Sequence, residues 1–253
     1  GYSASFVNNN RNKRSIILDL KNKDGLSAFK EMIKDADVVI QNFRPGVADR
    51  IGIGEDVLCG INSRLIYVSI AGFGFEGPYA QKPVFDPLIQ ALTGLTTVQA
   101  GSDEARPRLV RTILPDKLTG IQASQAITAA LFARERSGVG QHIKISMLDT
   151  IIAFMWGSDM GGHTFIGDEA KIETAQSFID LIYETKDGYI SVAAMHDKQW
   201  QALAEALERP DFLTDPRFIT AELREINKED RLNLTQKVLI TRTTEELLVT
   251  LEA

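Results

Sequence analysis

Three short apolar runs, each the length of a β-strand and separated from the next by residues at helical spacing, constrain this chain more than any other feature. They lie at residues 15–20 (Ser-Ile-Ile-Leu-Asp-Leu), which follow a polar, basic loop over 8–14, at Val38–Gln41 and at 64–70. Between the first two, Leu26, Phe29, Met32 and Ile33 predict a helix over 25–35, and Val47, Ile51 and Val57 predict another between the second and third. Strands alternating with helices at this spacing predict a parallel, doubly wound α/β sheet with ligands at the C-terminal strand ends. The pattern continues with a helix from Phe85 through about Leu95 and a long apolar run at 118–132, which closes on Arg134-Glu135-Arg136-Ser137-Gly138. Residues 141–145 alternate as a strand, and Ser146-Met147-Leu148-Asp149 reads as a capping box opening a helix to Trp156.

These elements define a large α/β domain over residues 1–156. Residues 157–176 are glycine-containing and irregular, a linker. A smaller α+β domain over 177–253 then opens with apolar runs at 178–184 and 189–192 flanking Lys186-Asp187-Gly188, a hairpin turn. Helical patterns follow at 198–207, 222–239 and 244–251.

Composition narrows the function classes. A net charge of −6 argues against general nucleic-acid binding. No apolar run approaches the roughly 20 residues that span a bilayer, and no partner membrane is expected. The first residues lack the apolar segment of a signal peptide. Cys59 is the single cysteine, so no intrachain disulfide or cysteine metal cluster can form, and a reducing cytoplasm is the expected setting. His142, His163 and His196 show no metal-ligand spacing, and no metal is expected.

Two local features invite a chemical reading. Gly72-Phe73-Gly74-Phe75-Glu76-Gly77 is a literal G-x-G-x-x-G after a predicted strand, but Pro78 and Pro83 interrupt where a dinucleotide fingerprint needs a helix. It reads as a glycine-rich turn beside a site. Asp116, preceded by Pro115, heads the long apolar helix, where unpaired N–H groups and the macrodipole favour an ionised carboxylate. On residue preference alone it is an N-cap.

Several stretches, in their order and spacing, resemble class III CoA-transferases, the family of carnitine CoA-transferase, formyl-CoA transferase and α-methylacyl-CoA racemase. They are Asn10-Arg11-Asn12-Lys13-Arg14-Ser15, Gln41-Asn42-Phe43-Arg44-Pro45-Gly46, Ser69-Ile70-Ala71-Gly72-Phe73-Gly74 with Gly77-Pro78-Tyr79, and Gly138-Val139-Gly140-Gln141. The likeness extends to Thr185-Lys186-Asp187-Gly188 in the smaller domain. It implies a Rossmann-like large domain, an intertwined homodimer and a chain lacking the family's first strand and its C-terminal return.

The resemblance makes Asp116, within Leu114-Pro115-Asp116-Lys117-Leu118-Thr119-Gly120, the nucleophile of an acyl-CoA:carboxylate CoA-transferase working through a covalent aspartyl intermediate. A carboxylate is already anionic at neutral pH and divides the exchange into easier steps. Acyl-CoA and a carboxylic acid are then the substrates, with no tightly bound cofactor. By the same match, Asn10, Lys13, Arg14, Asn42, Phe43, Arg44, Arg50 and Lys82 bind CoA, arginine forks suiting phosphate and Phe43 suiting a purine face. Phe85, Tyr79 and Trp156 are candidates for the acyl pocket. In the racemase branch a histidine precedes the position of Asp86; here it is Phe85, which cannot take a proton. A racemase with another base, and a CoA-binding protein without catalysis, are the alternatives.

Overall fold

A computed structural model describes residues 2–160, 164, 167, 180–194 and 196–251. The chain divides into two compact units, 1–177 and 178–253.

The first unit is a parallel sheet with helices on both faces. β1 (Val38–Gln41), β2 (Ile66–Ala71) and β3 (Gln141–Ser146) stand in that order, with Val38 opposite Ile66 and Ile66 opposite Gln141. Because side chains alternate across a strand, β2 feeds two cores. Leu65 and Tyr67 pack with Ile33 of α2 (Lys23–Ile33), Ala48 of α3 (Val47–Arg50) and Leu58 of α4 (Glu55–Ile61). Ile66 and Val68 pack on the other face with Ala123 and Ala130 of α7 (Leu114–Ser137). A third cluster joins Ile89 of α5 (Asp86–Leu92) and Leu95 of α6 (Leu95–Ala100) to Ile151 and Met155 of α8 (Met147–Trp156). β2 is buried at five of its six positions, as a central parallel strand should be.

Polar groups hold the ends of these elements. Asn22 caps α2 by accepting from the Asp24 N–H, and the Ser146 hydroxyl accepts from the Asp149 N–H to cap α8. α7 stops at Gly138, whose φ of 74° closes the helix by a bond from its N–H to the Arg134 carbonyl. Arg134 itself is buried and reaches back to the sheet, donating to Asp37 Oδ1 at 2.8 Å and to the Arg64 carbonyl at 3.1 Å.

The structure corrects the sequence reading at four places in this unit. Residues 15–19 form no strand; Ile16 and Ile17 are exposed at 64% and 96%. The segment around Asn8 is not all loop, because α1 (Ala4–Asn9) forms under a Ser3 cap. The helix read through Val47, Ile51 and Val57 is two helices, since Gly52 takes a φ of 81° between them. The helix from Phe85 to Leu95 likewise breaks at Gly94, with a φ of 82°.

The second unit is α+β. β4 (Ile182–Glu184) and β5 (Tyr189–Ser191) pair antiparallel with Tyr183 opposite Ile190. Their turn is fixed by Asp187, which accepts from the Thr244 N–H at 2.8 Å at the head of α13 (Thr244–Leu251). The core lies among α9 (Asp197–Ala206), α10 (Asp211–Thr214) and α12 (Lys228–Leu239), where Trp200 stacks on Phe212 at 5.5 Å. The helix expected over 222–239 is divided into α11 (Ala221–Ile226) and α12 at Asn227, whose side-chain amide donates to the Leu223 and Arg217 carbonyls. Residues 178–179 of the expected first strand, and most of 157–176, lie outside the described residues.

Candidate active site

A cleft of about 510 Å³ opens in the first unit, lined by the segments that follow β1 and β2 and by the starts of α5, α7 and α8. Asn42, Phe43 and Arg44 enter it directly after β1, with Phe43 42% exposed. The segment after β2 supplies Gly72, Lys82 and Phe85. Gln81 ties the two segments together by donating to the Pro45 carbonyl at 3.2 Å. The Lys82 ammonium lies 3.7 Å from the centre of the Tyr79 ring, a cation–π contact that keeps the charge at the cleft. Among the described residues the Arg44 guanidinium has no hydrogen-bond or carboxylate partner, so its five donors are open to a ligand.

The glycines of Gly72-Phe73-Gly74-Phe75-Glu76-Gly77 serve the turn. A Cβ at Gly72 would collide with the Val84 side chain, while Gly74 and Gly77 take φ of 81° and 90°. No helix opens at Gly77; the next one, α5, begins at Asp86. The arrangement a pyrophosphate needs at a helix start is therefore not made here.

Asp116 lines the same cleft, but not as an N-cap. The N-cap of α7 is Ile113, with Pro115 in the first turn, so Asp116 is the third helical residue. Its own N–H is taken by a carboxylate from another helix: Asp86 Oδ2 accepts it at 3.2 Å. The other oxygen, Asp86 Oδ1, accepts from Gln90 Nε2 at 2.7 Å. Gln90 in turn donates to the Thr112 carbonyl at 3.1 Å and accepts from the Val110 N–H at 2.9 Å. Asp86 and Gln90 are 5% and 2% exposed, so this network is a buried brace under the first turn of α7. It satisfies the helix start without using the Asp116 side chain.

The consequence is electrostatic. Partial burial in the cleft pushes the Asp116 carboxyl above the ordinary carboxylate value, and the neighbouring Asp86 carboxylate adds repulsion in the same direction. A carboxylate whose charge is poorly solvated is a better nucleophile and base than a free one. Thr119, one turn further along α7, also lines the cleft, its hydroxyl bonded to the Pro115 carbonyl at 2.7 Å.

Of the residues the sequence singled out, the cleft brings together Asp116, Asn42, Phe43, Arg44 and Lys82. Asn10, Lys13 and Arg14 do not line it; Lys13 donates to the Asn9 carbonyl at 2.6 Å and to Asn10 Oδ1 at 3.3 Å within its own segment. Arg50 ends α3, also away from the lining. Phe85 lines the cleft, whereas Tyr79 supports Lys82 and Trp156 is not in the lining. Gln90 escaped the sequence reading, although an Asp and a Gln four residues apart around a buried Ile89 signal a polar pair on the inner face of a helix. Among the described residues no cluster of three or more His, Cys, Asp and Glu could hold a metal ion, and no helix is long and apolar enough to cross a membrane.

The family model for CoA-transferase family III matches residues 1–253. The chain belongs to that family. Within it, the chain is 36% identical over 227 residues to an acetyl-CoA:oxalate CoA-transferase of Acetobacter aceti, covering 89% of this chain and 58% of the relative. It is 29% identical over 251 residues to the human succinyl-CoA:glutarate CoA-transferase, covering 97% of this chain and 55% of that one. The crystal structure of Rv3272 from M. tuberculosis superposes with a TM-score of 0.84 at 30% identity, over 96% of this chain and 64% of that one. A CAIB/BAIF family protein from Brucella suis gives 0.79 at 31% identity, over 96% and 65%. The chain spans a little over half the length of the CoA-transferase relatives named here.

Proposed function

We propose that this family III protein is an acyl-CoA:carboxylate CoA-transferase in which Asp116 carries a covalent intermediate. The observation that carries the reading is that Asp86 supplies the helix-start acceptor in place of Asp116, leaving the Asp116 carboxyl in a cleft with Phe43, Arg44 and Lys82. An Asp116 oxygen attacks the thioester carbonyl, the C–S bond breaks and CoA leaves as the thiolate, giving a mixed anhydride. The thiolate then attacks the aspartyl carbonyl and expels the donor acid, leaving an aspartyl-CoA thioester. The acceptor carboxylate repeats the two steps in reverse order, so the new acyl-CoA departs and Asp116 is regenerated as a carboxylate. Arg44 and Lys82 offer charge to CoA phosphates, and Phe43 offers a face to its adenine.

The names of the relatives, acetyl-CoA:oxalate and succinyl-CoA:glutarate CoA-transferase, support short acids as donor and acceptor. Phe85 at the cleft supplies no second base, which disfavours racemisation; deuterium wash-in at the α-carbon of an acyl-CoA is the contrary result. A Rossmann-like first unit, two domains with a linker over 157–176, a cytoplasmic setting and an intertwined homodimer complete the proposal, and sedimentation velocity showing only monomer would refute the dimer.

The test incubates the protein with a panel of acyl-CoAs, quenches with hydroxylamine and maps hydroxamates by peptide mass spectrometry. A hydroxamate at Asp116 that disappears in Asp116→Ala is expected. Binding of CoA without modification of Asp116 would overturn the covalent route.

A further inference from the structure

A second cavity, of about 360 Å³, shares Arg44 and Pro45 with the cleft and is floored by the face of the sheet that carries Tyr67, Ser69, His142 and Lys144. A chain of hydrogen bonds crosses this floor through all three strands. Glu55 Oε2, at the start of α4, lies 3.2 Å from His142 Nδ1. His142 Nε2 lies 2.9 Å from Ser69 Oγ, Gln41 Nε2 donates to that oxygen at 2.9 Å, and Gln41 Oε1 accepts from the Phe43 N–H at 2.8 Å.

The last link fixes the direction of the one before it. A backbone N–H can only donate, so the Gln41 carbonyl oxygen faces Phe43 and its amide nitrogen faces Ser69. Ser69 Oγ accepts from Gln41, and its second lone pair and its proton let it meet His142 Nε2 in either tautomer, while His142 Nδ1 faces the Glu55 carboxylate.

Serine, histidine and carboxylate in this order resemble a nucleophilic triad, but the surroundings decide against one. Ser69 is 3% exposed, stands within the ladder between Gln41 and Lys144, and its oxygen already accepts the Gln41 amide. A hydroxyl so enclosed is not presented to a substrate. What the chain does reach is the backbone of Phe43, in the segment that enters the cleft.

We propose that Gln41, Ser69 and His142 are positioning residues that hold the Asn42–Phe43–Arg44 segment in its ligand-binding shape and so set affinity for the CoA moiety, leaving the chemistry at Asp116 untouched. This rests on the transferase reading for the identity of the ligand, though not for the bonds themselves. Among the described residues the side chain of Arg44 has no partner, so its backbone path aims it, and that path begins at the Phe43 N–H. A preorganised segment loses less freedom on binding than a loose one.

Two readouts on the 253-residue chain separate the bonds from the ligand. Amide exchange at Phe43, read by NMR without any ligand, rises about fivefold to tenfold in Ser69→Ala as one hydrogen bond's support is lost. The Kd for CoA, by calorimetry, rises by a similar factor, as does KM for acyl-CoA, while kcat stays within about twofold. Ser69→Thr, which keeps a hydroxyl on a side chain suited to a strand, restores both. In a Gln41→Leu background the Ser69→Ala and His142→Leu changes add nothing further, because the chain is already cut. Unchanged Phe43 exchange in Ser69→Ala, or fully additive effects, overturns the proposal. Faster exchange with unaltered CoA affinity overturns its second step. A protein that binds no CoA at all while Phe43 still responds places the failure in the transferase reading instead.

Discussion

Asp86→Asn separates the two duties of the buried brace. The substitution keeps size and shape but turns one acceptor oxygen into an NH₂ donor. In the structure both oxygens of Asp86 face donors, Gln90 Nε2 at 2.7 Å and the Asp116 N–H at 3.2 Å, so either orientation of the new amide sets a donor against a donor. At a side chain 5% exposed, no solvent is at hand to relieve it. Leaving one buried donor unsatisfied costs about 2 kcal/mol, which for a unit of this size lowers Tm by roughly 4–8 °C. The charge effect runs separately. Asp116 is raised first by burial and second by the Asp86 carboxylate; removing the second leaves the first, so the Asp116 carboxyl moves down without reaching its ordinary range. In the proposed mechanism the ionised Asp116 carboxylate attacks, so the acid limb of the rate against pH shifts to lower pH. Differential scanning calorimetry and a pH profile of hydroxamate formation give both quantities. A Tm within 1 °C of the parent, given the roughly 4–8 °C expected, together with an unmoved or upward-shifted limb, would refute the account of Asp86 as an ionised acceptor beneath α7.

Three further outcomes follow from the geometry. Arg44→Ala weakens CoA binding about tenfold or more, the effect of one charge-assisted contact, whereas Lys13→Ala, whose ammonium is engaged within its own segment, changes it less than about threefold by calorimetry. Gly72→Ala drives a methyl into Val84 and destabilises by about 1–3 kcal/mol, and Gly72→Ala combined with Val84→Ala recovers most of the loss in urea unfolding. Asp187 is held below its ordinary value of 3.8 by the Thr244 N–H and hydroxyl, so its contribution to the second unit is present above that pH and lost as pH falls through the depressed value. Trp200 fluorescence in a Trp156→Phe background should show that acid loss, and Asp187→Asn should flatten it.

Much of the first unit could be read from local pattern because its strands are bracketed by sharp polar turns. Gln41-Asn42-Phe43 and Ala71-Gly72-Phe73 end β1 and β2 where the sequence changes character. Ser15-Ile16-Ile17-Leu18 carries the same β-branched signal yet forms no strand, because a strand also needs a neighbour to pair with and no local pattern supplies one. Asp116 was visible as a carboxylate at a helix start, but its position within the first turn was not. The preference for Asp at an N-cap reflects an unpaired N–H that needs an acceptor, and here that acceptor comes from Asp86, thirty residues earlier. Asn42, Phe43, Arg44 and Lys82 were recognised through resemblance, and that they share a cleft with Asp116 depends on how β1, β2 and α7 stack, which is a property of three dimensions alone.

Gln90 grips the segment before α7 at two points, the Val110 N–H and the Thr112 carbonyl, much as a neighbouring strand would. One side chain thereby fixes the register of a stretch that belongs to no sheet. The spacing from Val110 to Asp116 is consequently rigid in residue count: one residue inserted or deleted there would rotate a different side chain into the cleft. Among the described residues, those at 102–107, between α6 and the Arg108 N–H that bonds the Thr96 carbonyl at 2.9 Å, make hydrogen bonds only with one another and can absorb changes in length without moving the carboxylate.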